Sequence, residues 1–252
     1  MLIDSHCHLN YLEPKTDLGS ILESAKKHGV SHILNISVTL EEAEEVINTA
    51  SNHQNVYAAI GVQPSEEVSK EPTVDELLEL VTRNKVVAIG ECGLDYYYDN
   101  IDKKLQLERF MVHIEAAYKS QKPLIIHSRA AQNDTLGLLN SRQNLSGVMH
   151  CFTESWEMAK AVLDLGFYIS FSGIVTFKNA SDLREIVKKV PMDRILLETD
   201  APYLAPTPMR GKQNLPEYLR YTAEAMANLK GVNLPKLADQ TSENFFNLFN
   251  VK

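Results

Sequence analysis

Three cysteines, one tryptophan and no apolar run near the roughly 18 residues of a bilayer span are what 252 residues offer. So sparse and odd a cysteine set gives no disulfide framework and points to a reducing compartment, the cytoplasm. The N-terminus has no basic segment followed by an apolar stretch, so no secretory leader is read there. No Gly-x-Gly-x-x-Gly follows the first apolar run, which argues against a dinucleotide-binding open sheet. Linkers and low-complexity tracts are also missing, so a single domain over 1–252 is expected. Net positive charge is absent too. A formal charge of −8 argues against a broad phosphate-binding surface but allows a small cationic pocket that takes one strand end. No membrane association is expected. No helix concentrates lysine and arginine enough to indicate an obligate protein partner.

What is present is a rhythm. Short apolar runs at 2–8, 32–38, 56–62, 86–91, 123–127, 147–151, 167–171 and 194–198 alternate with segments of helical spacing. Thr73, with Glu76 three residues on, reads as a capping box at the start of one such helix. Leu124-Ile125-Ile126 and Ile195-Leu196-Leu197 are unbroken apolar runs, as expected for parallel strands covered on both faces. Eight strand–helix pairs predict an α/β protein, a closed (β/α)8 TIM barrel, with two further helical segments near 216–230 and 235–249. A doubly wound open sheet is the alternative.

Polar residues stand at the ends of these runs. The first ends in His6 and His8, which strand alternation puts on one face. Glu91, His127, His150 and Glu198-Thr199-Asp200 end the fourth, fifth, sixth and eighth. A single histidine after a strand is ordinarily a hydrogen-bonded loop residue. Joint occurrence at one barrel mouth, where such folds build their active sites, carries the case for a centre. The other histidines, His28, His32, His53 and His113, read as structural or solvated.

Imidazole and carboxylate together suit zinc, manganese or magnesium. Six ligands are too many for one tetrahedral ion and divide over two divalent ions. One takes His6, His8 and Asp200, the other His127 and His150, and Glu91 bridges them. Asp200 is the expected proton acceptor for the attacking water. Cys7, Cys92 and Cys151 each follow a ligand, so alternation should turn them toward the helix layer as packing residues. Arg129, two residues after His127, and Arg210 and Lys212 after the eighth strand are the cations available for a phosphate. Tyr96, Tyr97 and Tyr98 either offer a stacking face or pack beneath their loop, with packing expected for at least two.

The segments Asp4–His8, Gly90–Tyr98, Ile126–Arg129, His150–Thr153, Ser170–Phe177 and Glu198–Leu204 resemble, in order, the signatures of the TatD-type metal-dependent hydrolases. The likeness runs from residue 2 to the C-terminus. It implies an amidohydrolase-like TIM barrel, metal ligands at His6, His8, Glu91, His127, His150 and Asp200, and deoxyribonuclease activity. The expected reaction is 3′–5′ exonucleolytic cleavage of DNA by two-metal water activation. The alternative keeps the centre and changes the bond, to an ester or amide such as a D-aminoacyl-tRNA ester. Three positions depart from the family pattern. Gln63 stands where histidine is usual and keeps only a neutral hydrogen-bond donor for substrate. Ala130 replaces an aspartate expected to buttress His127. Gln213-Asn214-Leu215-Pro216 replaces a run that usually begins with arginine.

Overall fold

A computed structural model describes residues 1–13 and 17–251. Its strands are β1 (Leu2–Cys7), β2 (Val30–Ile36), β3 (Val56–Ile60), β4 (Val86–Asp95), β5 (Leu124–Arg129), β6 (Gly147–Met149), β7 (Tyr168–Phe171) and β8 (Ile195–Leu197). The helices are α1 (Leu18–Lys27), α2 (Ala43–Asn52), α3 (Val74–Leu80), α4 (Lys103–Ser120), α5 (Gln132–Leu139), α6 (Trp156–Asp164), α7 (Ser181–Lys189), α8 (Leu219–Lys230) and α9 (Leu234–Phe249). All strand pairs are parallel and follow sequence order, as the alternation predicts. Closure comes from the chain just past β8. Asp200 N–H donates to the His6 carbonyl at 2.9 Å, and His8 N–H donates to the Ala201 carbonyl at 2.8 Å. The Thr73–Glu76 capping box forms as expected. No helix among the described residues is long and apolar enough to cross a membrane.

Two strands change parity, and both changes serve the mouth. In β1, Ile3 packs in the barrel interior while Cys7 packs against the helix layer. Strict alternation would put both inside. A register irregularity between Asp4 and Cys7 reverses the phase and leaves His6 and His8 facing the mouth. In β4, Ala88 faces the interior and Cys92 and Leu94 the helices, with a second irregularity between Ile89 and Cys92. Glu91 is thereby turned inward. Gly90 makes this possible: its φ is +142°, and a Cβ there would lie 2.5 Å from the Ile125 carbonyl oxygen. The strand read from the apolar run at 86–91 therefore continues as far as Asp95.

The opposite end of the barrel is stoppered. Phe245, Leu248 and Phe249 of α9 join Ile3, Leu34, Ile36, Ile125, Val148 and Leu196 in one buried cluster. Asn244 locks α9 in place by donating to the carbonyls of Met192 and Ile195 at 2.9 and 2.8 Å. A fully buried side chain such as Phe245 contributes about 1.5–3 kcal/mol. The interior is thus packed from below, and the cavity lies at the polar mouth.

Candidate metal centre

The six side chains nominated as ligands meet at that mouth. His6 Nε2 lies 3.2 Å from His8 Nε2 and 3.3 Å from Glu91 Oε2. Asp200 Oδ1 is 3.6 Å from His6 Nε2 and 3.5 Å from His8 Nε2. The other oxygen of Glu91, Oε1, lies 3.4 Å from His127 Nδ1 and 3.2 Å from His150 Nε2. Those two nitrogens are 3.3 Å apart. One carboxylate therefore presents one oxygen to each histidine pair. His6, Glu91 and His150 also group together, and the His6 and His150 rings stack at 3.9 Å.

Two atoms held about 2.1 Å from a common tetrahedral ion are separated by roughly 3.4 Å. The distances within both sets fall around that value, so the residues present fit divalent metal. The outward nitrogens agree. His8 Nδ1 sits 3.1 Å from the Ile36 carbonyl, which can only accept, so the proton is on Nδ1 and Nε2 offers its lone pair. His127 Nε2 is 2.9 Å from Asp95 Oδ2, which frees Nδ1. His150 Nδ1 is 3.4 Å from Glu198 Oε1. That contact lacks hydrogen-bond geometry, and both Glu198 oxygens, with His6 Nδ1, stay unpartnered though buried.

Charge in the cluster is finely opposed. Burial works to raise the Glu91 pKa, but His150 and His6 overcome it and hold the carboxyl well below its ordinary range. Asp200 is treated the same way, with His8 the main opponent of burial. His150 is driven upward against its own burial by Glu91 and Glu198, while burial and the charge of His150 push His6 down.

The substrate residues divide. Arg129 and Gln63 line a cavity of about 570 Å³ above the six side chains, with Tyr11, Glu66, Tyr98 and Tyr203. Arg129 has no hydrogen bond or ion pair from its side chain among the described residues. It is stacked on Tyr97 at 3.7 Å and approaches Tyr98 at 5.3 Å. Arg210 stays outside the cavity wall, stacked on Phe177 at 3.9 Å, and Lys212 is solvated. One tyrosine packs, not two: Tyr96 bonds Asp134 at 2.8 Å, whereas Tyr97 and Tyr98 are exposed. Cys7 and Cys92 are buried in the helix layer as expected. Cys151 is not, for a φ of +43° brings it to the cavity, with Sγ 3.2 Å from Ser172 Oγ.

Asp95 and Glu198 are the residues sequence reasoning passed over. Each stood inside a quoted motif, but only the fold reveals which histidine it faces. Asp95 supplies the buttress that Ala130 seemed to remove; the Ala130 N–H itself donates to Glu154 at 3.0 Å. Asn214 is structural, donating to the carbonyls of Thr199 and Tyr203 at 2.8 and 2.6 Å and so fixing the Asp200 loop.

Behind the cavity, His113 of α4 is fully buried. Its Nε2 accepts the Val62 N–H at 2.9 Å and its Nδ1 donates to the Arg109 carbonyl at 2.8 Å, so it is held neutral. Burial pushes its pKa down to about 4. Because the unfolded chain takes up this proton first, the contribution is complete above about pH 6.5 and lost as pH falls toward 4. The loss should reach about 3 kcal/mol. Urea melts between pH 7 and 4 should show that decline in the parent and a shallower one in His113→Gln.

Residues 3–250 match the family model described as TatD related DNase. The chain is 44% identical to the uncharacterized metal-dependent hydrolase YcfH of Escherichia coli K12, over 99% of this chain and 96% of that protein. It is 40% identical to the uncharacterized metal-dependent hydrolase YabD of Bacillus subtilis 168, over the full length of both. The crystal structure of YjjV, a TatD homolog from Escherichia coli K12, superposes with a TM-score of 0.93 at 29% identity, covering 100% of this chain and 98% of that one. The chain belongs to the TatD family of metal-dependent hydrolases.

Proposed function

We propose that the protein is a two-metal phosphodiesterase that removes nucleotides from the 3′ end of DNA. The observation that carries this reading is the juxtaposition of a two-ion donor set, split by Glu91, with an unpaired guanidinium at the same cavity. His6, His8 and Asp200 would hold one divalent ion and His127 and His150 the other, with Glu91 shared, and such ions would lower the pKa of water and offset charge on phosphate oxygens. The chain's own residues do the rest. Asp200, whose Oδ1 faces the His6–His8 pair, takes the proton of the attacking water. Arg129 offers two parallel N–H donors to a phosphate, its plane fixed by the tyrosine beneath. Tyr98 and Tyr203 at the rim stack on bases.

The test is metal analysis of the purified protein with parallel assays on single-stranded DNA, duplex DNA and D-aminoacyl-tRNA. DNA hydrolysis that chelator stops and magnesium, manganese or zinc restores is expected. Full-rate DNA cleavage in chelator would remove the metal centre from the mechanism. Fast ester turnover beside slow DNA turnover would move the substrate to the ester class.

A further inference from the structure

The cavity wall after β3 carries a donor and an acceptor three residues apart, Gln63 and Glu66. Gln63 Oε1 accepts from Ser65 N–H at 2.7 Å and from Ser65 Oγ at 2.8 Å. A backbone N–H can only donate, so the amide orientation is fixed, and Nε2 keeps its hydrogens free among the described residues. The half-buried carboxylate of Glu66 makes no hydrogen bond or ion pair among the described residues.

The segment bearing both is anchored from behind. The buried Arg109 Nη1 donates to the carbonyls of Gln63, Pro64 and Glu66 at 2.9, 3.1 and 3.0 Å. Its other nitrogens grip Glu71 at 2.8 and 2.6 Å, and His113 holds Val62. A pair placed by main chain tethered at four points, Val62, Gln63, Pro64 and Glu66, is suited to recognition. The mouth is also polarised: Arg129 and Glu66 both line it, and Glu66 feels the further negative charge of Glu42.

We infer that Gln63 and Glu66 form a subsite for the terminal hydroxyl of the strand, an inference that rests on the DNA-hydrolase reading. A hydroxyl accepts one hydrogen bond and donates another, which is what an amide N–H and a carboxylate require. A terminal phosphate only accepts and carries close to two negative charges, so it is repelled by Glu66. A phosphodiester continuing past this point meets the same charge, which favours a chain end over an interior. A strand with a 5′-phosphate and a 3′-hydroxyl is therefore gripped by its 3′ end.

The experiment uses one single-stranded oligonucleotide finished with either a 3′-hydroxyl or a 3′-phosphate. Hydrolysis with metal and binding by fluorescence anisotropy in calcium are measured for the parent, Glu66→Gln and Gln63→Leu. The parent should favour the hydroxyl end by about tenfold or more in both measurements. Glu66→Gln should shrink that ratio to about threefold or less, because an amide can donate to phosphate. Gln63→Leu should weaken the hydroxyl-ended strand without improving the other. An unchanged ratio in Glu66→Gln, or a parent that prefers phosphate, overturns the subsite while leaving DNA cleavage standing. A binding ratio that collapses as expected, with neither strand cleaved, supports the subsite and removes the nuclease reading.

Discussion

Asp200→Asn should lower DNA turnover by about 10²–10⁴-fold, the range ascribed to a positioned general base. The change is nearly isosteric. It keeps an oxygen toward His6 and His8 but removes the charge that accepts the proton. Asp200 lies in a left-handed turn at φ +57°, a conformation asparagine also tolerates, so the loop should survive. Single-turnover hydrolysis of a labelled oligonucleotide, with metal content measured on the same sample, checks the expectation. A variant that keeps its metal and its rate would remove Asp200 from the proton path.

The second large effect is on metal content. Glu91→Ala should empty both positions, because one carboxylate serves both histidine pairs through different oxygens. Losing one such ligand typically costs far more than the 10–100-fold lost when an outer partner is removed. His8→Ala should strip one ion and spare the other, since among the described residues its Nε2 faces Glu91 Oε2, Asp200 and His6 and neither His127 nor His150. His6→Ala should disturb both, because its ring lies flat on His150. Metal titration of apoprotein by calorimetry reads these stoichiometries directly. Two ions retained by Glu91→Ala would mean the carboxylate does not bridge.

Much of this centre was legible because β5 and β6 obey simple alternation into the mouth and His127 and His150 follow their apolar runs directly, while Asp200 stands three residues beyond the apolar run of β8. The barrel was legible for the same reason: buried parallel strands read as continuous apolar runs. What the sequence hid depends on partners far away in the chain. The phase reversals in β1 and β4 are register events between strands, invisible in either strand alone. Asp95 is remote from His127 until β4 and β5 are paired, and Glu66 gains meaning only when Arg109, 43 residues on, pins its backbone. Arg210 looked as eligible as Arg129 because proximity in sequence to a ligand strand does not say which wall a long loop follows.

The closure of the barrel across its first and last strands has a consequence in time. His6 and His8 are made early relative to the backbone that clasps them, for Asp200 and Ala201 follow nearly two hundred residues later. At ordinary elongation rates that interval is roughly 10–40 s. Throughout it the growing chain holds imidazoles without their carboxylate and a barrel without its stopper helix. The centre therefore cannot be complete until Asp200 has been added. Its last carboxylate arrives on the same stretch of backbone that joins the ends of the sheet.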